Sequence, residues 1–537
     1  MRFKLWIIYG MMLLMLTASV VKMATVMTDH NITAVGSTQG RKSVTVGAVR
    51  GTIYDRHMQP LVNEQARYSI ALLPQYDTLK SVKPFVNEEQ YHLLLEKATA
   101  GMPITALIDN PIPAGNGIYS FKYAQRYGET VYAPHLLGYT DQDLGAGISG
   151  LEQVYDNVLS QYTGNIKLTF TTNGNGIPLE QKEPIVINNI KNSVGGVMLT
   201  IDKEIQSLID KIGEQYIQKG AIIVMNAQSG EILAMGSYPS FHPEQIEESL
   251  SDAETPLINR ALSLYDCGSV FKIVTTIAAL ESGVPPERCF NCAGSYTVGE
   301  TVFHCHNRNG HGLQNMKTAF ANSCNAYYIQ LAQEIGSEFM QEMMQKLGLY
   351  ETTLLTNGWE TPAAVIPKNE DLSADAALAN LSFGQGELLL TPLQTTLLAG
   401  VVASGGNLLS PEVVLGIVDT NKSLLQTDSR GGKTIVSART VRILREMMRS
   451  VVAEGTGMRA QGDYVTVAGK TGTAETGQYN ASGQPVVQSW FTGYFPAENP
   501  KYVITFLAED AQNSGTDASL AVCEFSNKLY KLKGNGN

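Results

Sequence analysis

The chain has 537 residues, of which 44% are hydrophobic and 17% are charged, and its 39 basic and 50 acidic residues give a net charge of −11. This composition is typical of folded protein with a substantial core, and the length leaves room for two or three domains. The acidic balance, with no long basic run after the first residues, excludes the electrostatic footprint of a nucleic-acid-binding protein.

The N-terminus has the pattern of a membrane segment. Arg2 and Lys4 precede an uncharged run from Leu5 to Val21, and Lys22 closes that run. The run is at the short end for a spanning helix, and no clean small-x-small cleavage site follows it. An uncleaved anchor over residues 5–21 is therefore favoured, with a cleaved signal peptide as the open alternative. Because positive residues stay on the inner side, we expect residues 1–4 in the cytoplasm and the chain after the anchor outside it.

The stretch from residue 22 to residue 195 is mixed in character. Strand-like pieces, SVTVGAV and GNIKLTFTT, occur among glycine-rich turns, and no catalytic cluster is evident. We expect an extracytoplasmic pedestal domain here. A Gly-Gly pair and a helical pattern after Asp202, which is positioned as the N-cap, then mark a second domain over residues 196–537.

Strand patterns occur at both ends of this second domain. GAIIVMNAQSGEILAMGSYP indicates a hairpin that turns at Ser229 and Gly230, and VTVAGKTGTAET, SWFTGYF and KYVITFLAE indicate three more strands. Between them lies a mostly helical stretch. In it, LLLTPLQTTLLAGVVA is typical of a buried helix with Thr391 as N-cap and Pro392 in its first turn. This order favours an α+β domain with a five-stranded antiparallel sheet packed between helices, closed by the helix SLAVCEFSNKLYKL.

The run YDCGSVFKIVTTIAAL places Ser269 three residues before Lys272 at the start of an apolar helix. If Val270–Leu280 is helical and ends at Gly283, both side chains lie on one face of the first turn, and the serine N–H is an unpaired donor for an oxyanion. A lysine that acts as a base must be neutral, which costs about 4 to 5 kcal/mol at neutral pH without help from burial and a second cation. Alone, the pair also fits a capping serine beside a solvated lysine.

Two further motifs favour a catalytic role for this serine and lysine. SCN, from Ser323 to Asn325, falls between helical segments, where its hydroxyl and amide can face a cleft. KTGT, from Lys470 to Thr473, falls on a strand of small residues, where Gly472 allows another backbone to approach and Lys470 can be the second cation. Each motif alone is uninformative, but three in this order argue against coincidence.

With these motifs the sequence resembles the class B penicillin-binding proteins, peptidoglycan transpeptidases whose signature set is S-x-x-K, S-x-N and K-T-G. RGTIYDRHMQPL and GISGLEQVYDNVL are similar to the membrane-proximal module of that class. LTID, SGEILAM, SFGQGELLLTPLQ, VVAEGTG and WFTGYFP are similar to its transpeptidase domain. The resemblance implies a serine β-lactamase-like fold on a smaller mixed pedestal, with one transmembrane helix. It departs from the family at Cys267, where relatives usually have proline, and in a short pedestal with no further domain expected after the catalytic one.

The resemblance also implies roles for the catalytic side chains. Ser269 would be the nucleophile, Lys272 its general base, and Ser323 the relay of a proton to the leaving amine. The serine would attack the penultimate D-alanine carbonyl of a stem pentapeptide, and a neighbouring strand's amine would resolve the acyl-enzyme into a cross-link. β-Lactams would acylate the same serine. No metal or organic cofactor is expected, and the implied partner is a polytopic membrane glycosyltransferase.

Lys470 is the fourth implied catalytic residue, and four more residues carry the implied binding functions. Asn325 would hydrogen-bond the peptide backbone of the substrate, and Lys470 would supply positive potential. The hydroxyls of Thr471 and Thr473, on either side of Gly472, would hold the terminal carboxylate. The backbone N–H groups of Ser269 and Thr473 would form the oxyanion hole.

Other functions are distinguished by what accompanies these motifs. A D,D-carboxypeptidase, which releases D-alanine to water, uses the same residues and stays open. β-Lactamases are compact and lack the long stretch between the anchor and Asp202. A penicillin-sensing receptor usually carries H-E-x-x-H, and none of the eight histidines here is followed by glutamate. A Ser-His-Asp acyl hydrolase would need G-x-S-x-G, which the chain lacks.

One cysteine-rich stretch formally matches the two-Cys, two-His zinc spacing. Its members are Cys289, Cys292, His306 and His311. The acidic chain and the expected extracytoplasmic position exclude a DNA-reading finger, and Cys305 crowds the same stretch. Three states stay open for these cysteines: a disulfide such as Cys292 to Cys305, a structural metal site, or free thiols.

Overall fold

The computed structural model describes residues 2–28, 40–98, 103–108, 110–141, 145–173, 175–179, 182–368, 370–426, 430–479, 483, 485–509 and 518–534. The chain divides into two compact units, each assembled from three segments. The first unit contains Met1–Gly51, Asn63–Arg126 and Tyr162–Ser193. The second contains Thr52–Val62, Tyr127–Gln161 and Val194–Asn537.

Helix α1 (Arg2–Thr28) begins the first unit. Its stretch Phe3–Thr25 is long and apolar enough to cross a membrane, and none of its most apolar window is buried against protein. The helix is longer than the predicted anchor because the lysines that bound the uncharged run are themselves helical. A helix with apolar side chains on all sides is typical of a membrane span.

Two three-stranded antiparallel sheets make up most of the rest of the first unit. One has the strand order β1 (Arg41–Val49), β6 (Gly164–Thr171), β7 (Ile185–Asn188), and the other has the order β4 (Ile104–Ile108), β3 (Ala66–Leu72), β5 (Ile118–Ala124). The two strands predicted in this region pair with each other, Arg41 opposite Thr171. Alternate residues of β6 are buried, as expected for a strand with one covered face. The elements of this unit after α1 are β1 (Arg41–Val49), β3 (Ala66–Leu72), α2 (Tyr76–Val82), α3 (Glu88–Ala98), β4 (Ile104–Ile108), β5 (Ile118–Ala124), β6 (Gly164–Thr171) and β7 (Ile185–Asn188).

The second unit contains β2 (Thr52–Tyr54), α4 (Pro134–Leu137), α5 (Gly150–Val154), α6 (Asp156–Gln161), β8 (Gly196–Leu199), α7 (Lys203–Ile212), β9 (Gly220–Asn226), β10 (Ile232–Tyr238), α8 (Ile246–Leu250), α9 (Lys272–Glu281), β11 (Phe290–Cys292), β12 (Ser295–Val298), β13 (Thr301–His304), β14 (Gly312–Gln314), α10 (Met316–Ala321), α11 (Asn325–Ile335) and α12 (Ser337–Lys346). It continues with β15 (Thr353–Thr356), β16 (Trp359–Thr361), α13 (Asp375–Ser382), α14 (Pro392–Ala403), β17 (Asn407–Leu409), β18 (Val414–Val418), β19 (Leu424–Gln426), β20 (Gly432–Thr434), α15 (Ala438–Glu454), β21 (Ala468–Tyr479), β22 (Pro485–Phe495), β23 (Tyr502–Ala508) and α16 (Ala518–Gly534).

The central sheet of the second unit confirms the predicted architecture. It has five antiparallel strands in the order β10–β9–β23–β22–β21, built from both ends of the unit. Side chains of β9 alternate between two cores: Ile223 packs in one with Leu398 of α14, and Ile222 packs in the other with Phe525 of α16. Both faces of the sheet are therefore covered, so β9 and β10 are buried almost throughout.

Local capping chemistry sets the helix starts that were predicted. The Asp202 carboxylate accepts hydrogen bonds from the N–H groups of Glu204 and Ile205 at 3.0 and 3.2 Å. At α14, Thr391 and Gln394 form a reciprocal capping box, and every residue of the helix is buried. Both caps satisfy backbone donors that the first turn of a helix leaves without a partner.

A second sheet in this unit was not predicted. It has the order β19–β18–β8–β2, and β2 pairs with β8 in parallel. The stretch 290–314 adds two short antiparallel pairs, β11 with β14 and β12 with β13. These hairpins bring the cysteine-rich stretch to the start of α11, where the SCN motif lies.

Candidate active site

The Ser269 turn precedes a buried helix, with one difference from the predicted boundary. Residues Gly268–Phe271 form a 3-10 turn, and the α-helix proper is α9, Lys272–Glu281. Gly268 adopts φ +52° at the start of this turn, and a Cβ there would lie 2.8 Å from the carbonyl oxygen of Thr473. The same close approach brings Ser269 next to strand β21.

Lys272 is fully buried and points at the hydroxyl of Ser269. Its Nζ lies 2.8 Å from Ser269 Oγ and 3.1 Å from Ser323 Oγ. The same nitrogen contacts two acceptors that cannot donate, Ser323 O at 2.9 Å and Asn325 Oδ1 at 2.7 Å. A neutral amine has two N–H groups and one lone pair, so these carbonyl oxygens can take both N–H groups and leave the lone pair for a hydroxyl proton.

Burial also changes the charge state of Lys272. Desolvation lowers the pKa of Lys272 to about 7, against the raising effect of the nearby Cys324 and Cys305 thiols. The ring of Tyr328 lies beneath the amine, 5.5 Å from Nζ to the ring centroid. A lysine with this pKa is a competent base at neutral pH. The sequence analysis had stated this condition, because a lysine must be uncharged to act as a base.

Ser323 lies between α10 and α11 and bridges the two lysines. It adopts φ +51°, a left-handed conformation that is uncommon for a residue with a side chain. Its Oγ accepts from Lys272 at 3.1 Å and from Lys470 at 3.0 Å. The unusual backbone therefore holds the serine hydroxyl at the point where a proton can pass between the two amines.

Lys470 is fully buried on β21, and its Nζ also donates to Thr471 O at 2.8 Å. The pKa of Lys470 is well below its ordinary value, first because of desolvation and second because of repulsion from Lys272. The sequence had assigned this repulsion to the lowering of the Lys272 pKa, whereas in the structure burial alone lowers that value. The two amines are nevertheless coupled, because both donate to the hydroxyl of Ser323.

Gly472 allows β21 to pack against the Ser269 turn. A Cβ at this position would lie 2.9 Å from Cys267 O and 3.0 Å from Val270 Cγ2. These contacts leave no room for a side chain. The neighbouring residues flank this contact: Thr471 is half-buried and Thr473 is exposed.

Asn325 begins α11 and joins two parts of the site. Its Oδ1 accepts from Lys272, and its Nδ2 donates to His304 O at 3.2 Å. The side chain predicted to bind substrate backbone thus also orients the lysine.

These side chains open onto one cleft of about 620 Å³. Its lining includes Ser269, Ser323, Asn325, Thr471, Gly472 and Thr473, together with His304, Cys305, His306, Arg308, Phe383, Gln385, Thr456, Ser489, Trp490 and Ser519. The lining residues come from segments far apart in the chain, so the fold assembles all three motifs into one site. A nucleophile, a neutral amine and backbone N–H donors around a cleft suit acyl transfer.

Two residues of the site were missed by the sequence reasoning. Thr456 Oγ1 lies 2.6 Å from Thr471 Oγ1 and so orients that hydroxyl. It belongs to VVAEGTG, a segment noted only for its family likeness. Cys324, the middle residue of SCN, lies with other cysteines behind the cleft.

The six cysteines are all free thiols, so the Cys292 to Cys305 disulfide is not formed in this structure. The two-Cys, two-His spacing does not match what the fold brings together. Cys289 is exposed, whereas Cys292, Cys305 and His311 converge with Cys324.

Comparison with known proteins agrees with this geometry. Residues 220–528 match the model of the penicillin binding protein transpeptidase domain. The chain is 30% identical over 485 residues to penicillin-binding protein PbpB of Mycolicibacterium smegmatis, covering 85% of this chain and 71% of that protein. It is 27% identical over 478 residues to peptidoglycan D,D-transpeptidase PbpA of the same organism, covering 80% and 93%.

Among solved structures, penicillin binding protein 3 from Mycobacterium tuberculosis complexed with aztreonam aligns with a TM-score of 0.65 at 24% identity, covering 92% of this chain and 97% of that one. This alignment supports the fold.

Proposed function

The chain belongs to the penicillin-binding protein transpeptidase family and is a serine-type peptidoglycan D,D-transpeptidase, and from this premise we propose that Ser269 is the residue that forms its acyl-enzyme. The observation that carries this assignment is the buried Lys272 amine, 2.8 Å from Ser269 Oγ and with a pKa lowered to about 7. Ser269 Oγ makes the shorter of the two hydroxyl contacts with this amine, since Ser323 Oγ lies 3.1 Å from it.

The proton path follows from the contacts of the two lysines. Neutral Lys272 takes the Ser269 proton as Oγ attacks the penultimate D-alanine carbonyl carbon. As the C–N bond to the terminal D-alanine breaks, the proton passes through Ser323 to the leaving amine. An acceptor amine from a second stem peptide then attacks the acyl carbon, its proton returns through Lys272 to Ser269 Oγ, and the serine is free again.

The proposed binding residues surround this path. The backbone N–H groups of Ser269 and Thr473 would stabilise the oxyanion, which is supported by the close contact of Gly268 with Thr473 O. The Thr471 and Thr473 hydroxyls would bind the terminal carboxylate in the potential of Lys470. Asn325 would accept a hydrogen bond from the substrate backbone once substrate displaces one of its present contacts.

β-Lactams are proposed as covalent inhibitors, because a strained amide with a nearby carboxylate presents the same groups as the stem peptide terminus. The relative solved with aztreonam has the same fold, and the carboxylate-binding threonines proposed above line the present cleft.

We further propose how the chain is arranged at the membrane. Residues 1–4 would be cytoplasmic, α1 would contain the anchor over residues 5–21, residues 22–195 would form the pedestal, and residues 196–537 would act on peptidoglycan outside the membrane. The apolar helix and the basic residues before it support this orientation. A polytopic membrane glycosyltransferase is the proposed partner, since α1 exposes apolar side chains on all sides. The glycosyltransferase should no longer co-purify with the chain when α1 is replaced by an unrelated membrane span.

Labelling with a fluorescent penicillin tests the nucleophile. The wild-type chain should carry the label on the peptide containing Ser269, and Ser269→Ala should carry none. Ser282→Ala is the matched control, because Ser282 lies at the other end of α9 and only bonds the Ala279 carbonyl. Label on Ser269→Ala, or loss of label from Ser282→Ala, would overturn the assignment.

Incubation with a stem pentapeptide and an amine acceptor should yield cross-linked dimer in excess of the hydrolysed tetrapeptide.

A further inference from the structure

Four potential metal ligands converge at the wall of the cleft, where Cys305 is one of the lining residues. The sulfur atoms of Cys292, Cys305 and Cys324 and an imidazole nitrogen of His311 all lie within 4.8 Å of one another. The three cysteines are buried and the histidine is half-buried. We propose that these four side chains form a structural zinc site that holds the SCN motif in its catalytic position.

The separations between these ligand atoms fit a tetrahedral ion. Two ligand pairs, Cys292 Sγ with His311 Nδ1 and Cys305 Sγ with His311 Nδ1, are each 3.5 Å apart. Cys305 Sγ and Cys324 Sγ are 4.0 Å apart. Around a tetrahedral zinc with ordinary bond lengths, sulfur and nitrogen lie about 3.6 Å apart and two sulfurs about 3.8 Å apart. Three of the six separations are therefore close to the edge lengths of the required tetrahedron, and the other three are at most 4.8 Å.

The donor set selects the metal. Three thiolates and one imidazole form the Cys3His combination of structural zinc sites, and sulfur donors exclude the oxygen-preferring ions Mg²⁺ and Ca²⁺. All four positions are supplied by the chain, so the site is closed and the ion has no open position for substrate or water. The proposed role is therefore structural, and the acyl transfer stays with Ser269.

The fold explains why these four residues meet. Cys292 ends β11, Cys305 follows β13, and His311 precedes β14, so paired hairpins bring three ligands together. The fourth, Cys324, is the N-cap residue of α11. The spacing of the ligands in the chain, C-x12-C-x5-H-x12-C, differs from the two-Cys, two-His motif because Cys289 and His306 lie outside the cluster.

The consequence for catalysis follows from the neighbours of Cys324. Ser323 and Asn325, which flank it, both contact the Lys272 amine. Asn325 also binds the carbonyl of His304, next to the ligand Cys305. An ion on Cys305 and Cys324 would tie the loop of residues 304–311 to the SCN turn and hold Ser323 in its left-handed conformation. This part of the inference rests on the proposed function of Ser269.

A disulfide is the competing fate of these thiols. Disulfide sulfurs lie about 2.05 Å apart, whereas the Cys305 and Cys324 sulfurs are 4.0 Å apart. Closing that gap would displace the SCN turn, and the disulfide would not involve Cys292 or His311. A bound ion instead uses all four groups with smaller shifts and protects the thiols from oxidation outside the cytoplasm.

Metal content of the full chain tests the site. The protein is purified in detergent through a peptide tag, without metal-affinity resin, and zinc is measured by mass spectrometry. We expect one zinc per chain in the wild type and loss of zinc in Cys292→Ser and His311→Asn. Matched controls are Cys289→Ser and His92→Asn, which replace exposed residues of the same types away from the cluster and should keep the ion. Zinc-free wild type, a disulfide among the three cysteines, or equal zinc loss in the controls would overturn the proposal.

A second readout does not depend on the folding of a variant. Wild-type protein stripped by a chelator and reloaded with Co²⁺ should show the intense absorption of tetrahedral thiolate-bound cobalt, and octahedral-type weak absorption would overturn the site. Stripping should slow penicillin acylation about a hundredfold, as expected for a misplaced catalytic group, and zinc should restore it. Ser269→Ala should keep its zinc while losing the label, so failure of the nucleophile assignment and failure of the metal site give different results. Unchanged acylation after complete removal of zinc would refute the positioning role.

Discussion

Lys272 and Lys470 share one hydroxyl acceptor, Ser323, in a site where both are fully buried. Two charged amines cannot both be stable so close together without water. The pKa of Lys272 is about 7 and that of Lys470 is also well below its ordinary value. The pair therefore carries fewer than two positive charges near neutral pH, and an uncharged amine can accept the Ser269 proton.

The first prediction at this scale concerns pH. Because acylation needs neutral Lys272, its rate should fall about tenfold per pH unit below about 7 and level off above it, following the lowered pKa. The measurement is the second-order rate of acylation by benzylpenicillin between about pH 5 and pH 9, with circular dichroism at each pH to confirm that the chain stays folded. A rate that is constant across pH 7 in folded protein would contradict the role of Lys272.

The second prediction separates the hydroxyl of Ser323 from its backbone. Ser323→Ala and Ser323→Gly both remove the proton relay, so both should slow acylation by a similar factor of about 10² to 10⁴. They should differ in stability, because glycine adopts φ +51° more easily than alanine does. Thermal unfolding should therefore place Ser323→Gly at or above Ser323→Ala. Acylation at the wild-type rate in either variant would refute the relay.

At the residue scale, the sequence predicted contacts between residues that are close along the chain. It did not predict contacts between residues that are far apart along the chain. Ser269 and Lys272 are one helical turn apart, so their contact follows from spacing. Thr456 reaches Thr471 only because α15 and β21 pack together, and no local pattern carries that information. Cys324 was hidden for a similar reason: its partners Cys292 and Cys305 belong to hairpins whose pairing the sequence did not reveal.

At the scale of elements, strand β21 depends on a glycine that faces the Ser269 turn. Gly472→Ala should push this strand away, because the new Cβ would lie 2.9 Å from Cys267 O. We expect a loss of about 1 to 3 kcal/mol in stability and about a hundredfold loss in acylation rate. The control is Gly534→Ala, whose Cβ would meet the Tyr530 ring at an ordinary 3.5 Å. Wild-type acylation in Gly472→Ala would show that the close approach is unnecessary.

Helix α7 offers a test of capping against charge. Asp202 caps this helix and accepts from Lys533 Nζ of α16 at 3.0 Å. Asp202→Asn keeps an N-cap but loses the ion pair, which is partly exposed and should cost less than about 1 kcal/mol. Asp202→Ala loses both and should cost about 1 to 2 kcal/mol more. Thermal unfolding in detergent measures both variants, and equal destabilisation would mean that the ion pair, not the cap, dominates.

Elements with local signals were predicted and those with remote partners were not. The hairpin of β9 and β10 is marked by its turn, and α14 by Thr391 as N-cap and Pro392 in its first turn, because both signals depend on neighbouring residues. Strand β2 has three residues and pairs in parallel with β8, far along the chain. Such a strand has neither the length nor the turn that would reveal it. The 3-10 turn before α9 was also missed, since the helix was predicted to begin at Val270 and the α-helix begins at Lys272.

At the scale of the whole molecule, one helix determines where the chemistry takes place. α1 is the stretch among the described residues that is long and apolar enough to span a membrane. Stem peptides are linked outside the cytoplasm, so the Ser269 cleft must lie on that side if the proposed function holds. The basic residues Arg2 and Lys4 before the span predict that side, because such residues are retained inside.

Thiol accessibility tests this orientation in intact cells. Cys289 is exposed on the second unit, whereas the other five cysteines are buried or half-buried. A membrane-impermeant maleimide should therefore label the wild-type chain from outside, and Cys289→Ser should lose most of the label. A cysteine on the other side of the membrane is the reporter for the opposite result. Phe3→Cys in the Cys289→Ser background keeps Arg2 and Lys4 and should react only after the cells are permeabilised, since residue 3 precedes the proposed anchor over residues 5–21. Labelling of Cys289 only after permeabilisation would place the cleft in the cytoplasm, where cross-linked stem peptides are not made, and would contradict both the orientation and the proposed substrate.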